Sequence, residues 1–170
     1  MASIKNLNLA VVGHTEWVSF VSVKKLAGPG VISHGENFRE EPAGGGAVAA
    51  IQMARLTSNK VHFFTALGKD SIGKRCFEKL RSLGLVMHVA WRDHPTRKGF
   101  SFVDRKAERA ITVVGERLQP DSSDPLPWNL LKDFDGIFIT AGDTELVKLC
   151  RKAKVLCATP RVKVKYLNSA

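Results

Sequence analysis

The sequence predicts an α/β fold built on a mostly parallel sheet. Two observations support this. Short apolar runs that end in glycine alternate with amphipathic or small-residue helical segments, the rhythm of a parallel sheet covered on both faces. Two stretches, about 17–43 and 96–116, break that rhythm with alternating apolar and polar residues around turns. They are expected to be antiparallel inserts able to pair with each other as a small separate sheet.

The elements follow in order. Leu7 to Gly13 is a buried first strand. Trp17 to Ala43 is a pair of short strands broken by Gly28-Pro29-Gly30. Ala47 to Leu56 is a helix that is small and apolar on most sides, so it should be buried. Val61 to Gly68 is the next strand. Asp70 or Ser71 can cap the helix that follows, in which Ile72, Cys76, Phe77, Leu80 and Leu83 share one face and Gly84 is the stop. Leu85 to Trp91 is a strand. Gly99–Val103 and Ala110–Val114 form a hairpin around Asp104–Arg109. After a loop over Pro120–Pro127 come a short helix at Trp128–Lys132, a strand at Asp135–Gly142, a helix near Thr144–Lys152 and a short strand at Val155–Ala158 that ends at Thr159-Pro160.

A chain of 170 residues with 44% hydrophobic and 25% charged residues suits one globular domain. No apolar stretch has bilayer-spanning length, and the first six residues do not resemble a signal peptide. The three cysteines, Cys76, Cys150 and Cys157, form no Cys-x-x-Cys pair and suit free thiols in the cytoplasm. The net charge is +10. Seven of the basic residues, with no acidic one, lie between Leu146 and Ala170, leaving 19 basic against 16 acidic residues, or +3, before them. With Tyr166 as its only aromatic, this run is expected to be a solvated face or a surface for an acidic partner. It is not expected to be a nucleic-acid site.

The run Pro42-Ala43-Gly44-Gly45-Gly46-Ala47-Val48 places three glycines directly before a helix. Bare amides at a helix N-terminus suit hydroxyl or anionic oxygens. The alternative is a tight turn that lets the helix pack closely on the sheet. Glu16, just past the first strand, can accept two hydroxyls or be an exposed loop acid. Asp143 follows a strand at the same sheet edge and can bind a ligand or cap the next helix. Arg97 and Lys98, at the start of the second insert, can meet an anionic group or stand in solvent. The five histidines show no metal-ligand spacing. There is no dinucleotide fingerprint and no P-loop.

Ala43 to Leu56 resembles the N-terminal signature of the PfkB/ribokinase-type carbohydrate kinases. Gly68-Lys69-Asp70-Ser71-Ile72-Gly73 is similar to the Gly-x-Asp-x-x-Gly element that follows it in that family. The order of strands, inserts and glycine helices matches over nearly the whole chain. The resemblance implies a ribokinase-like three-layer α/β/α fold with a β-lid made by the two inserts. It also implies a sugar or nucleoside acceptor contacted by Glu16, Gly44, Gly45, Gly46 and Asp143, and phosphoryl transfer from ATP with Mg²⁺. The sequence has no Gly-Ala-Gly-Asp segment, and no Asn-x-x-Glu element after its last strand, the two marks of the nucleotide half in that family. The chain is therefore expected to be the substrate-and-lid part of such a kinase, inactive alone and holding neither ATP nor Mg²⁺. The alternative is a non-catalytic sugar-binding or dimerising module derived from that fold, with the lid as a homodimer contact. Two departures stand out. Val48 takes the place of an Asn and Val18 that of a substrate-binding Asp.

Overall fold

The structure is a computed structural model that describes residues 7–57 and 59–159. The first six residues, Pro160 and the basic residues Arg161, Lys163 and Lys165 lie outside the described residues.

The main sheet has β1 (Leu9–Val12), β4 (Val61–Gly68), β5 (Val86–Arg92), β8 (Gly136–Ile139) and β9 (Val155–Ala158) in the order β5-β4-β1-β8-β9. Every pairing in it is parallel. Alternation along the strands sorts the core into two layers. Leu9, Val11, Val61 and Phe63 meet α1 (Gly45–Thr57) and α2 (Ser71–Ser82) through Ala47, Ala50 and Leu80. Ala10, Val12, Phe64, Ile137 and Ile139 point the other way, onto Leu146, Val147 and Cys150 of α3 (Thr144–Cys150) and Leu131 of a 3-10 helix (Trp128–Asp133). This is the expected three-layer arrangement.

The two inserts join in one sheet. β2 (Glu16–Val23) and β3 (Gly35–Ala43) pair antiparallel, as do β6 (Lys98–Val103) and β7 (Arg109–Val114). Parallel pairing of β2 with β6 completes the order β3-β2-β6-β7. This lid is anchored at its base. Asp70 accepts from the Thr96 amide and hydroxyl, both at 2.8 Å. Arg75 of α2 lies 4.4 Å above the Trp17 ring and 3.8 Å from Glu40 of β3.

One expectation is corrected. α1 is not buried on most sides: Val48 is 46% exposed and Leu56 79%. The sheet covers a single face of this helix, and among the described residues nothing packs on the outer one. β9 likewise leaves Val155 and Cys157 exposed at the sheet edge. No helix among the described residues is long and apolar enough to cross a membrane.

Candidate functional site

Because the strands are parallel, the segments after β1, β4 and β8 emerge at one edge, and the N-termini of α1, α2 and α3 gather there. Two of these termini are closed by carboxylates. Asp70 accepts from Gly73 N at 2.7 Å and caps α2. Asp143 caps α3: its Oδ1 accepts from Leu146 N at 3.0 Å and Ser122 N at 3.1 Å, and its Oδ2 from the Ser122 hydroxyl at 2.6 Å. Of the two readings open for Asp143, the structure displays the cap. α1 differs. Its first turn has no acidic residue. The one side-chain acceptor near its first amides, among the described residues, is His14 Nε2, 3.4 Å from Gly45 N.

The three glycines divide the work. Gly46 is a packing residue, since a Cβ there would lie 2.7 Å from the Gly13 backbone and 2.9 Å from His14 N. Its own amide donates to the His14 carbonyl at 3.2 Å. Gly44 has φ +90, a conformation that favours glycine, and sits against the His14 ring. Gly45 is exposed, with Thr140 and the His14 ring flanking it at ordinary contact distance. Close packing thus explains Gly44 and Gly46, while Gly45 is exposed and its amide meets only the long contact to His14 Nε2.

Glu16 is not an exposed loop acid. It opens β2, is 12% exposed, and its Oε1 lies 3.3 Å from Arg97 Nη1 and 3.5 Å from His14 Nε2. The hydrogen bond from His14 holds its carboxyl below the usual range. The charges of Arg97, His14 and Arg117 reinforce that effect against burial, which would raise it. Arg97 is not a solvated hairpin end either, being 15% exposed at the lid base, whereas Lys98 is exposed. His14 Nε2 cannot donate to Glu16 and accept from Gly45 at once. When it faces Glu16, the Gly45 N–H is free for another acceptor. Three further buried polar atoms around this turn have no partner among the described residues: His14 Nδ1, Thr140 Oγ1 and Arg97 Nε. Buried polar groups are normally satisfied, so a cluster of unsatisfied ones beside an uncapped helix start marks a place for polar ligand atoms or water.

Sequence reasoning placed Glu16, Gly44, Gly45, Gly46 and Asp143 at one edge, and the structure brings them there. It missed His14 and Thr140. The signal available was their position, each immediately at the end of a buried strand or one residue past its terminal glycine. Neither valine substitutes for the residue it replaces. Val48 is half-exposed on α1, and Val18 is buried against Gly99. A concavity of about 1230 Å³ lies elsewhere, between residues 22–37 and Val103–Lys106 at the lid tip. It contains none of the unpartnered buried groups, so the geometry at Gly45 carries the assignment.

Among the described residues no group of three or more His, Cys, Asp or Glu could hold a metal ion. The carboxylates of Asp70 and Asp143 are taken up as caps, which also fills the α2 and α3 termini against a phosphate. Two of the three helix starts at this edge are therefore closed to a phosphate.

Comparison with solved structures gives the fold a setting. Ribokinase from Thermotoga maritima superposes with a TM-score of 0.71 and 21% identity, over 92% of this chain and 53% of its own. Ribokinase from Giardia lamblia gives 0.75 and 18%, over 91% and 50%. Arabidopsis thaliana ribokinase, solved with ribose and ATP, gives 0.66 and 19%, over 89% and 53%. The chain thus spans about half the length of these structures. No curated protein sequence matches. Residues 6–160 match the model of the pfkB family carbohydrate kinases, and the chain belongs to that family.

Proposed function

We propose that this chain is the acceptor-binding and lid portion of a carbohydrate kinase that transfers the γ-phosphoryl group of ATP to a hydroxyl of a sugar or nucleoside. One observation carries the reading. Of three helix termini at the sheet's carboxyl edge, only α1 lacks a carboxylate cap, and it is the one ringed by Glu16, His14, Thr140 and Arg97. Only Oε1 of Glu16 has a partner among the described residues, so Oε2 can accept ligand hydroxyls while the Gly45 amide donates. Gly44 and Gly46 shape that turn, and Asp143 offers at most the outer lone pair of Oδ2. ATP supplies the phosphoryl group and Mg²⁺ neutralises its charge in such a reaction. The residues described here bind and orient the acceptor, and the lid excludes water from it. A reducing, cytoplasmic setting fits the free Cys76 and Cys150, whose thiols burial pushes up to about 12. Calorimetric titration with D-ribose, D-fructose, adenosine and ATP tests the reading. It predicts binding of a hydroxylated ligand and none of ATP; silence with every carbohydrate contradicts it.

A second reading is favoured by the lid surface, where Phe100, Phe102, Ile111 and Val113 are exposed. Apolar sheet faces and open edges invite pairing, so the lid is also a candidate homodimer contact in a non-catalytic module. Sedimentation of the wild type and of Phe102→Ser tests this. A dimer that the substitution dissociates, in a chain that binds no carbohydrate, favours this reading over the first.

A further inference from the structure

We propose that Arg75, on α2 and outside the candidate site, is a positioning residue: by holding the Trp17 indole it sets where the neighbouring Glu16 carboxylate stands. The inference rests on the reading of Glu16 as an acceptor-binding group, and its test follows the carboxylate both without and with a ligand.

Glu16 and Trp17 are consecutive at the start of β2, so their side chains leave the strand on opposite sides. Glu16 turns to His14 and Arg97. Trp17, 6% exposed, packs against Leu67 of β4 and Cys76 of α2. Its backbone N–H donates to the Arg97 carbonyl at 3.0 Å. The seat of this one indole therefore fixes the strand at the point where Glu16 meets Arg97. Arg75 closes the seat from the solvent side. Its guanidinium lies 4.4 Å from the centre of the Trp17 ring. Its Nη2 is 3.8 Å from Glu40, beyond hydrogen-bond distance, so the ion pair is loose and the indole face is what the guanidinium holds.

Two features mark this contact as more than packing. The Trp17 Nε1–H is buried with no partner among the described residues. A phenylalanine would pack there without that cost. What an indole adds is the stronger cation-binding face, and Arg75 occupies it. The other feature is where α2 grips the lid. Asp70 bonds to Thr96, which precedes Arg97, and Arg75 stacks on Trp17, which follows Glu16. One helix thus holds the sequence neighbour of each member of the Glu16–Arg97 pair. On the β6 side the hold is hydrogen-bonded. On the β2 side no hydrogen bond joins α2 to β2 among the described residues, and the stack takes its place. Without the guanidinium the indole can tilt, and the start of β2 then carries Glu16 away from His14.

The test follows the Glu16 carboxyl carbon by NMR in the labelled full chain through an acid titration. The hydrogen bond from His14 holds this carboxyl low, so its midpoint reports whether the two stay together. Arg75→Met keeps the length and removes the charge, whereas Trp17→Phe keeps a ring and changes no charge. Both should move the midpoint upward, toward the ordinary carboxylate value. The double variant should move it no further than either alone, since the two residues act as one unit. Arg75→Lys, which restores a cation, should return most of the wild-type midpoint, and Asp70→Ala should leave it in place. In calorimetric titrations with D-ribose, D-fructose and adenosine, Arg75→Met should weaken the best of these ligands about threefold or more, the scale of a cation–π contact. An unchanged midpoint in Arg75→Met overturns the inference, as do additive shifts in the double variant or wild-type affinity in Arg75→Met. Arg75 is 54% exposed, so its variant decides the matter if Trp17→Phe does not fold. A shifted midpoint in a chain whose wild type binds none of these ligands overturns the acceptor reading alone and leaves the positioning of Glu16 standing.

Discussion

The starts of α1 and α2 lie at the same edge of the main sheet, both beside glycine turns, and they end in opposite conditions. At α2 the turn is saturated. Asp70 accepts from Gly73 and twice from Thr96, and Thr96 in turn accepts from Gly68 N at 3.0 Å. At α1 the corresponding space holds a weak bond from Gly45 to His14 and a group of buried atoms with no partner. The difference separates a structural glycine motif from a functional one. The first uses its amides to fix the lid base, whereas the second withholds an amide from the protein.

Substitutions should widen that contrast, and the largest effects should come from packing. A Cβ on Gly73 would fall 2.0 Å from the Gly68 carbonyl oxygen, and one on Gly46 2.7 Å from the Gly13 backbone. Gly73→Ala and Gly46→Ala should each cost about 3 kcal/mol or more in urea unfolding, as overpacking against rigid backbone does. Gly45→Ala meets only ordinary contacts and should change stability by less than about 1 kcal/mol, while lowering acceptor affinity. If Gly45→Ala unfolds the chain, the division of roles fails.

Next come the two carboxylates. Asp70→Ala removes a cap and two bonds to Thr96, so about 2 kcal/mol should be lost, with little change in acceptor binding by the folded fraction. Glu16→Gln should cost about 1 kcal/mol in stability and about tenfold in acceptor affinity. Equal binding losses in the two variants would erase the comparison.

A smaller effect concerns pH. His62 Nδ1 and His88 Nε2 are 2.9 Å apart on β4 and β5, with the His88 ring stacked on Phe64. Burial, with the neighbouring His62, pushes His88 from 6.5 down to about 4. A histidine held neutral in the folded state binds more protons when unfolded. Its contribution is therefore complete above pH 6.5 and declines as pH falls toward 4. Asp70 acts lower. Burial alone would raise its carboxyl, but hydrogen bonds from Gly73 and Thr96 prevail and keep it low. Its contribution is present above the unfolded value and is lost as pH falls through the folded one. Thermal melts should lose stability steadily from pH 6.5 to 4, and His88→Gln should flatten that slope without moving the steeper loss below it.

Local features of the chain were legible in advance because they depend on neighbours in sequence. The apolar runs of β1 and β4, the Asp70 cap and Gly84 at φ +89 after α2 follow from burial on both faces of a parallel sheet, capping chemistry and handedness. The joining of the inserts was expected, but the parallel pairing of β2 with β6 depends on residues about eighty positions apart. α1 misled because small apolar residues do not say which side is covered; Ala47 and Ala50 face the sheet while Val48 and Leu56 do not. Glu16 was found by its place after a strand, yet its partners were hidden. His14, Arg97 and Thr140 converge only when β1, β8 and the lid base are assembled, and no local pattern encodes that meeting.

The central claim is that Gly45 at the start of α1 is the amide left for a ligand. Proton–nitrogen NMR of the labelled chain, titrated with D-ribose, D-fructose and adenosine, tests it most directly. The account predicts that the Gly45 amide shifts with a saturable curve while Gly46 and Gly73, already bonded within the protein, move little. Shifts that spare Gly45, or that gather at the lid-tip concavity around Lys24 and Arg105, would contradict it.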